Sequence, residues 1–170
     1  VVQGDDPGTV VLVGGGDPYL LEKGSRAEPT RASLSTLARR TAVALKKDGV
    51  RKVSLAYDAS LFSGPARNPT WPGTYGDVAS SVSALWVNEG RTVPGGGVIG
   101  PRESDPAKVA AKAFADQLQD ALAILELDRV LDASPDELDR HRLGLAAARR
   151  NRLEMITQRT PGRSRTSRSK

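Results

Sequence analysis

Three features of this 170-residue chain carry residue types that could do chemistry. The first is Gly14-Gly15-Gly16-Asp17-Pro18, directly after the apolar run Thr9-Val10-Val11-Leu12-Val13. A glycine-rich turn after a strand cradles a phosphate when its backbone amides lead straight into a helix. Gly14 and Gly16 fit that G-x-G-x-x-G pattern, but Tyr19 stands at its last position and Pro18 interrupts it. No G-K-[ST] follows, so the segment reads as a tight turn rather than a nucleotide site. The second feature is His141, the single imidazole and so the one available partner for a serine–histidine pair. It lies between Arg140 and Arg142, and no serine sits in a G-x-S-x-G setting. It therefore reads as a solvated surface residue. The third is Ser167-Arg168-Ser169-Lys170, which spells the S-x-x-K of a lysine-activated serine nucleophile. An Arg- and Ser-rich chain end cannot hold a nucleophile in place, and we set this match aside.

The remaining chemistry is narrow. The carboxylate pairs Asp5/Asp6 and Asp136/Glu137 fall in a turn and at a helix start, ordinary positions for acidic residues. With no cysteine, the chain has neither a disulfide framework nor a thiolate zinc site, and one histidine excludes a histidine-rich metal site. The sequence thus assigns no catalytic residue, no metal and no cofactor.

The elements that would position any site follow a strand–helix–strand order. Residues 9–13, mostly β-branched, predict a buried strand. Residues 33–48 predict a helix through Leu34, Leu37, Ala38, Val43, Ala44 and Leu45, with Lys46 and Lys47 suited to its C-terminal dipole and Gly49 to its cap. Residues 50–57 alternate as a second strand. Residues 60–77 hold too many Gly, Pro and Asn for regular structure and predict an ordered loop anchored by Phe62, Trp71 and Tyr75. Residues 82–88 read as strand, and 90–103 as a hairpin loop or flexible insertion. Asp105-Pro106 opens the clearest helix, with Ala111, Phe114, Leu118, Ala121, Leu122 and Leu125 in one stripe and a possible end at Leu131. Ser134-Pro135-Asp136-Glu137 is a capping box, predicting a further helix to about Met155. From Gln158 on there is almost nothing to bury, and disorder is expected. The fold class expected is α/β (α+β): a small mixed sheet with packed helices, a C-terminal helical extension and a disordered basic tail.

Charge is unevenly placed. Residues 1–138 carry 15 Lys+Arg against 18 Asp+Glu, a net of −3, whereas 139–170 carry 10 against 2, a net of +8. A polyanion-binding reading would therefore rest on the tail, which lacks the interleaved aromatics that stack bases, and nucleic acid is not an expected partner. No apolar run reaches the ~20 residues of a membrane-spanning helix, and no stretch reads as a signal peptide. The chain begins at Val1 rather than Met, which suggests part of a longer product.

Four stretches together resemble the D-Ala-D-Ala carboxypeptidase/endopeptidase family of low-molecular-mass class C penicillin-binding proteins. The run 10–20 is similar to that family's apolar strand followed by G-x-G-D-P-x-L. Asp58-Ala59-Ser60-Leu61-Phe62 resembles its D-x-S-x-F segment. Pro69-Thr70-Trp71 resembles P-x-W, and Val82-Ser83-Ala84-Leu85-Trp86-Val87-Asn88-Glu89 resembles V-S-A-L-x-x-N-E. Asp105-Pro106-Ala107 then opens the helix that carries Phe114. Order and spacing agree over roughly residues 8–122.

The resemblance implies a serine hydrolase that acts on peptidoglycan stem peptides through an acyl-enzyme, in the extracytoplasmic cell envelope. The family's nucleophile and lysine come from S-x-x-K, with S-x-N and K-T-G completing the site. Beyond the chain-end match these are missing here. The stretches that match correspond to the family's extra domains, inserted between S-x-x-K and S-x-N. The expectation is an insert-like unit over 1–122, a helical extension over 123–157 and a disordered tail over 158–170, inactive alone as a fragment or truncated relative. Asp58 and Phe62 are the candidates for a substrate-facing loop; packing in the core is the competing role for Phe62, and turn-capping for Asp58. The alternative function is a non-catalytic binding module for cell-wall glycopeptide or a polyanion. Oligomeric state is left open.

Overall fold

The computed structural model describes residues 1–5, 8–25, 31–50, 52–97, 99–131 and 154–155, of which 126–131 and 154–155 as backbone. Its centre is a parallel pair of strands, β2 (Thr9–Val13) and β3 (Ser54–Asp58), aligned from Thr9↔Ser54 to Val13↔Asp58. A short β1 (Val2–Gln3) pairs antiparallel with β2, making the sheet mixed. Parallel neighbours need a crossover that returns the chain to the same end, and α1 (Leu34–Lys47) supplies it. With α2 (Pro106–Leu131) packed beside α1, the expected α+β class is the one observed.

Alternation along the strands divides their side chains between two faces. Val10 and Leu12 of β2, with Leu55 and Tyr57 of β3, join one core with Leu34, Ala38, Ala42 and Leu45 of α1. α2 adds Ala107, Ala110, Ala111, Phe114, Ala115 and Leu118 to it. Val11 and Ala56 point the other way and are buried too, which is why the strands read as continuous apolar runs. The alanines leave little side chain between the two helices, and Phe114, fully buried, supplies the bulk.

Helix boundaries follow from local chemistry. Ser33 stops α1 at its start, its Oγ accepting from the Thr36 N–H at 3.3 Å. At the other end the Gly49 N–H donates to the Lys46 carbonyl and the Val50 N–H to the Leu45 carbonyl, a Schellman closure. Asp105 Oδ1 accepts from the Lys108 N–H at 3.0 Å and opens α2 with Pro106 in its first turn. Lys46 Nζ donates to the Leu125 carbonyl at 2.9 Å and ties the end of α1 to α2.

Several expectations shift. The second strand begins at Ser54, not at residue 50, because Val50 is used in closing α1 and the ladder starts where the Ser54 N–H reaches the Gly8 carbonyl. The buried face of α1 uses Ala42 in place of Val43, which is exposed, and of Ala44. Residues 82–88 form no strand: the Ser83 hydroxyl takes the Leu85 N–H and donates to the Leu85 carbonyl, competing with a ladder. The 90–103 segment closes as a hairpin loop through an Arg91↔Arg102 bridge. The 60–77 segment is irregular as expected, with a 3-10 turn at Gly73–Asp77. Phe62 and Tyr75 do not anchor it from within, both being exposed. The helix expected to reach Met155 is contradicted at its end, where β4 (Glu154–Met155) pairs parallel with β3; an open strand edge presents unpaired backbone groups that take up such a segment. The capping box at 134–137, His141 and the 158–170 tail lie outside the described residues.

Two expected outcomes follow. Phe114→Ala lowers unfolding free energy by about 3–5 kcal/mol, whereas Val43→Ala on the exposed face of α1 changes it by less than about 0.5 kcal/mol; urea denaturation distinguishes them. Burial, aided by the Asp105 carboxylate, holds the Tyr57 phenol above its ordinary pKa of 10.0. The stability this represents is complete below pH 10.0 and is lost as pH rises through the folded-state value. The wild type therefore weakens more steeply at high pH than Tyr57→Phe does, as read by denaturation at pH 8 to 11.

Candidate functional site

Because β2 and β3 run parallel and in register, the loops that follow them emerge at the same end of the sheet. In sheets of this kind ligands are met outside the carboxyl ends of the strands. The first loop is Gly14-Gly15-Gly16-Asp17; the second is the 58–63 segment containing Asp58 and Phe62. The Gly14 N–H donates to the Asp58 carbonyl at 2.8 Å and continues the ladder one residue past the strands. The two glycine- and aspartate-bearing motifs, over forty residues apart in sequence, are thus joined by backbone.

Asp58 closes its own loop. Its Oδ1 accepts from the Ser60 N–H at 2.8 Å, an Asx turn that throws Leu61 and Phe62 outward. Leu61 is 60% exposed and Phe62 49% exposed, and both rest on Gly16. The turn-capping role considered for Asp58 is therefore present, while a core role for Phe62 is not. Gly16 has φ +77°, and a Cβ there would stand 2.9 Å from Phe62 Cζ. Both its conformation and the ring above it need glycine.

The third side of the site comes from the 83–91 segment. The Gly16 N–H donates to the Ala84 carbonyl at 2.8 Å, and the Trp86 indole N–H to the Asp17 carbonyl at 3.0 Å. Asp17 Oδ1 accepts from the Tyr19 N–H, so its expected turn-forming role is realised. Further along, the Asn88 N–H donates to the Leu20 carbonyl and Asn88 Oδ1 accepts from the Glu22 N–H. Asn88 and Glu89 both have positive φ, 52° and 59°, a costly conformation outside glycine. Glu89 is held there by its ion pair with Arg91 at 2.8 Å and by the Ser80 hydroxyl on its carbonyl.

Sequence reasoning named Asp58 and Phe62 but missed that Gly14 bonds to Asp58 and that Phe62 stands over Gly16. It also missed the left-handed pair Asn88-Glu89, for which an asparagine two residues before Gly90 is a faint signal. Among the described residues no group of three or more His, Asp or Glu stands ready for a metal. Ser80 and Ser83 spend their hydroxyls on the backbone carbonyls of Glu89 and Leu85, and the arrangement is a shaped loop cluster.

A family model described as D-Ala-D-Ala carboxypeptidase 3 (S13) matches residues 1–125, and the chain belongs to that family. The match takes in both loops, the 83–91 segment and most of α2. No curated protein and no solved structure matches the chain.

The contact between Phe62 and Gly16 gives a direct test. Gly16→Ala destabilises the chain by at least ~1–2 kcal/mol from its left-handed backbone alone. Adding Phe62→Ala recovers the steric part of the loss and leaves the backbone part. A double-mutant cycle by urea denaturation reads the coupling; strict additivity would show that ring and glycine do not touch in solution.

Proposed function

We propose that this chain is the non-catalytic, insert-like portion of a serine-type D-alanyl-D-alanine carboxypeptidase/endopeptidase that acts on peptidoglycan stem peptides in the cell envelope. Residues 1–122 form the insert-like unit, followed by an extension over 123–157 and the basic tail over 158–170. Asp58 and Phe62 shape a loop that faces substrate. The observation that carries this reading is the meeting of the 14–17 and 58–63 loops at the carboxyl ends of β2 and β3, inside the stretch matched by the family.

The chemistry of the loops supports positioning rather than bond-making. An exposed phenyl ring beside a carboxylate-closed turn can pack against an aliphatic peptide stem, with the turn fixing the ring's place. Acyl transfer needs an activated serine and donors for the oxyanion. The S-x-x-K, S-x-N and K-T-G elements that provide them in the family are missing from residues 1–166. Among the described residues no helix is long and apolar enough to cross a membrane.

The purified chain is expected neither to hydrolyse a peptide ending in D-Ala-D-Ala nor to retain a fluorescent penicillin through denaturing electrophoresis. Labelling at one specific serine would overturn the non-catalytic assignment. The loop's role is read separately: Phe62→Ala weakens binding of that stem peptide several-fold with the fold intact by circular dichroism.

A further inference from the structure

The 60–77 loop holds a second feature that the strand-end site does not use. Trp71 and Tyr75 form a tilted aromatic pair, ring centroids 5.8 Å apart and planes at 39°. Tyr75 is 44% exposed and Trp71 half-buried. The pair is held by backbone rather than by burial. The Trp71 N–H donates to the Asn68 carbonyl and the Tyr75 N–H to the Pro72 carbonyl, while Asn68 Oδ1 accepts from both the N–H and the hydroxyl of Thr70.

The two tryptophans of the chain contrast sharply. The Trp86 indole N–H is committed to the Asp17 carbonyl. Among the described residues the Trp71 indole N–H meets no acceptor. Beside the pair, the Arg67 guanidinium lies over Gly76, its Nη2 2.9 Å from where a Cβ would stand. Arg67 is exposed and makes no ion pair among the described residues. An exposed tyrosine ring paired with a half-buried tryptophan, an uncommitted indole donor and an uncommitted cation thus share one loop.

We infer that Trp71, Tyr75 and Arg67 form a subsite for an amino-sugar glycan strand, separate from the Asp58–Phe62 loop. The apolar face of a pyranose ring packs on an aromatic face, and its hydroxyl or acetamido oxygens accept from the indole N–H and the guanidinium. The cation also complements the lactyl carboxylate of a muramyl residue that carries no stem peptide, a group that a neutral glycan lacks. The choice of glycan rests on the proposed function, since a peptidoglycan stem peptide is attached to such a strand. The subsite would hold the polymer while the stem peptide is presented elsewhere.

The test uses the 170-residue chain and nuclear magnetic resonance of its two indole N–H signals, assigned with Trp71→Phe. Titration with a neutral N-acetylglucosamine oligosaccharide is expected to shift the Trp71 signal and leave that of Trp86 in place. Tyr75→Ala lowers the affinity about tenfold. Arg67→Ala leaves the neutral sugar within twofold but weakens a muramyl disaccharide bearing a free carboxylate. No shift at millimolar sugar, a shift confined to Trp86, or full affinity in Tyr75→Ala would overturn the subsite. A single-stranded oligonucleotide that shifts Trp71 where the sugar does not would overturn the choice of glycan. A sugar-free stem peptide is the separate arm. Peptide binding that depends on Phe62, without sugar binding, rejects the subsite and leaves the carboxypeptidase reading standing; sugar binding without peptide binding does the reverse.

Discussion

The parallel pairing of β2 with β3 is the constraint from which the rest of the arrangement follows. A parallel pair cannot be closed by a tight turn, so the chain spends more than thirty residues between the two strands and must bury the helix it makes on the way. That helix covers one sheet face only when a second helix fills the space beside it, which α2 does from the far end of the described chain. Long-range contact is thus built in: β2, α1, β3 and α2 form one core only when all four are present. The same pairing brings the ends of β2 and β3 together, so the loops that leave them meet without further design.

How much of this could be read in the sequence depended on where the backbone hydrogen bonds go. Strand 9–13, α1 and α2 satisfy their own groups or pair in a regular ladder, and their residues show it through β-branching, capping and apolar spacing. Between residues 60 and 103 the bonds run to side chains and to distant carbonyls, as with Ser83 on Leu85 or Asn88 on Leu20. Such bonds have no period. Residues 82–88 look like a strand because Ala84, Leu85 and Val87 are buried, but Leu85 and Val87 reach the core from an irregular segment bonded to the 14–20 loop rather than from a sheet. Asp58 as a turn former was legible from its type; Phe62 as an exposed ring on Gly16 was not, because a contact over some forty residues leaves no local trace.

Membership of the carboxypeptidase family and the absence of its catalytic motifs from residues 1–166 are compatible once positioning and bond-making are kept apart. A fold does not carry an activity by itself; the activity resides in particular groups held in particular places. The groups held in place here are aromatic rings, turn-closing aspartates and a strained Asn88-Glu89 pair. On the proposed reading, these groups place a substrate.

The division between a regular core and an irregular half also bears on where binding can evolve. In the core, Phe114 and the interhelical alanines leave no slack, and a change of side-chain volume is felt throughout. The irregular half is pinned largely by backbone and polar side chains, so several of its larger apolar side chains are left outside the core. Trp71, Tyr75, Leu61 and Phe62 are all in that half, and Tyr75, Leu61 and Phe62 are all strongly exposed. In a chain with only 4% aromatic residues, keeping several rings outside a small core runs against the hydrophobic economy of folding. A cost of that kind is expected where rings meet something other than their own protein.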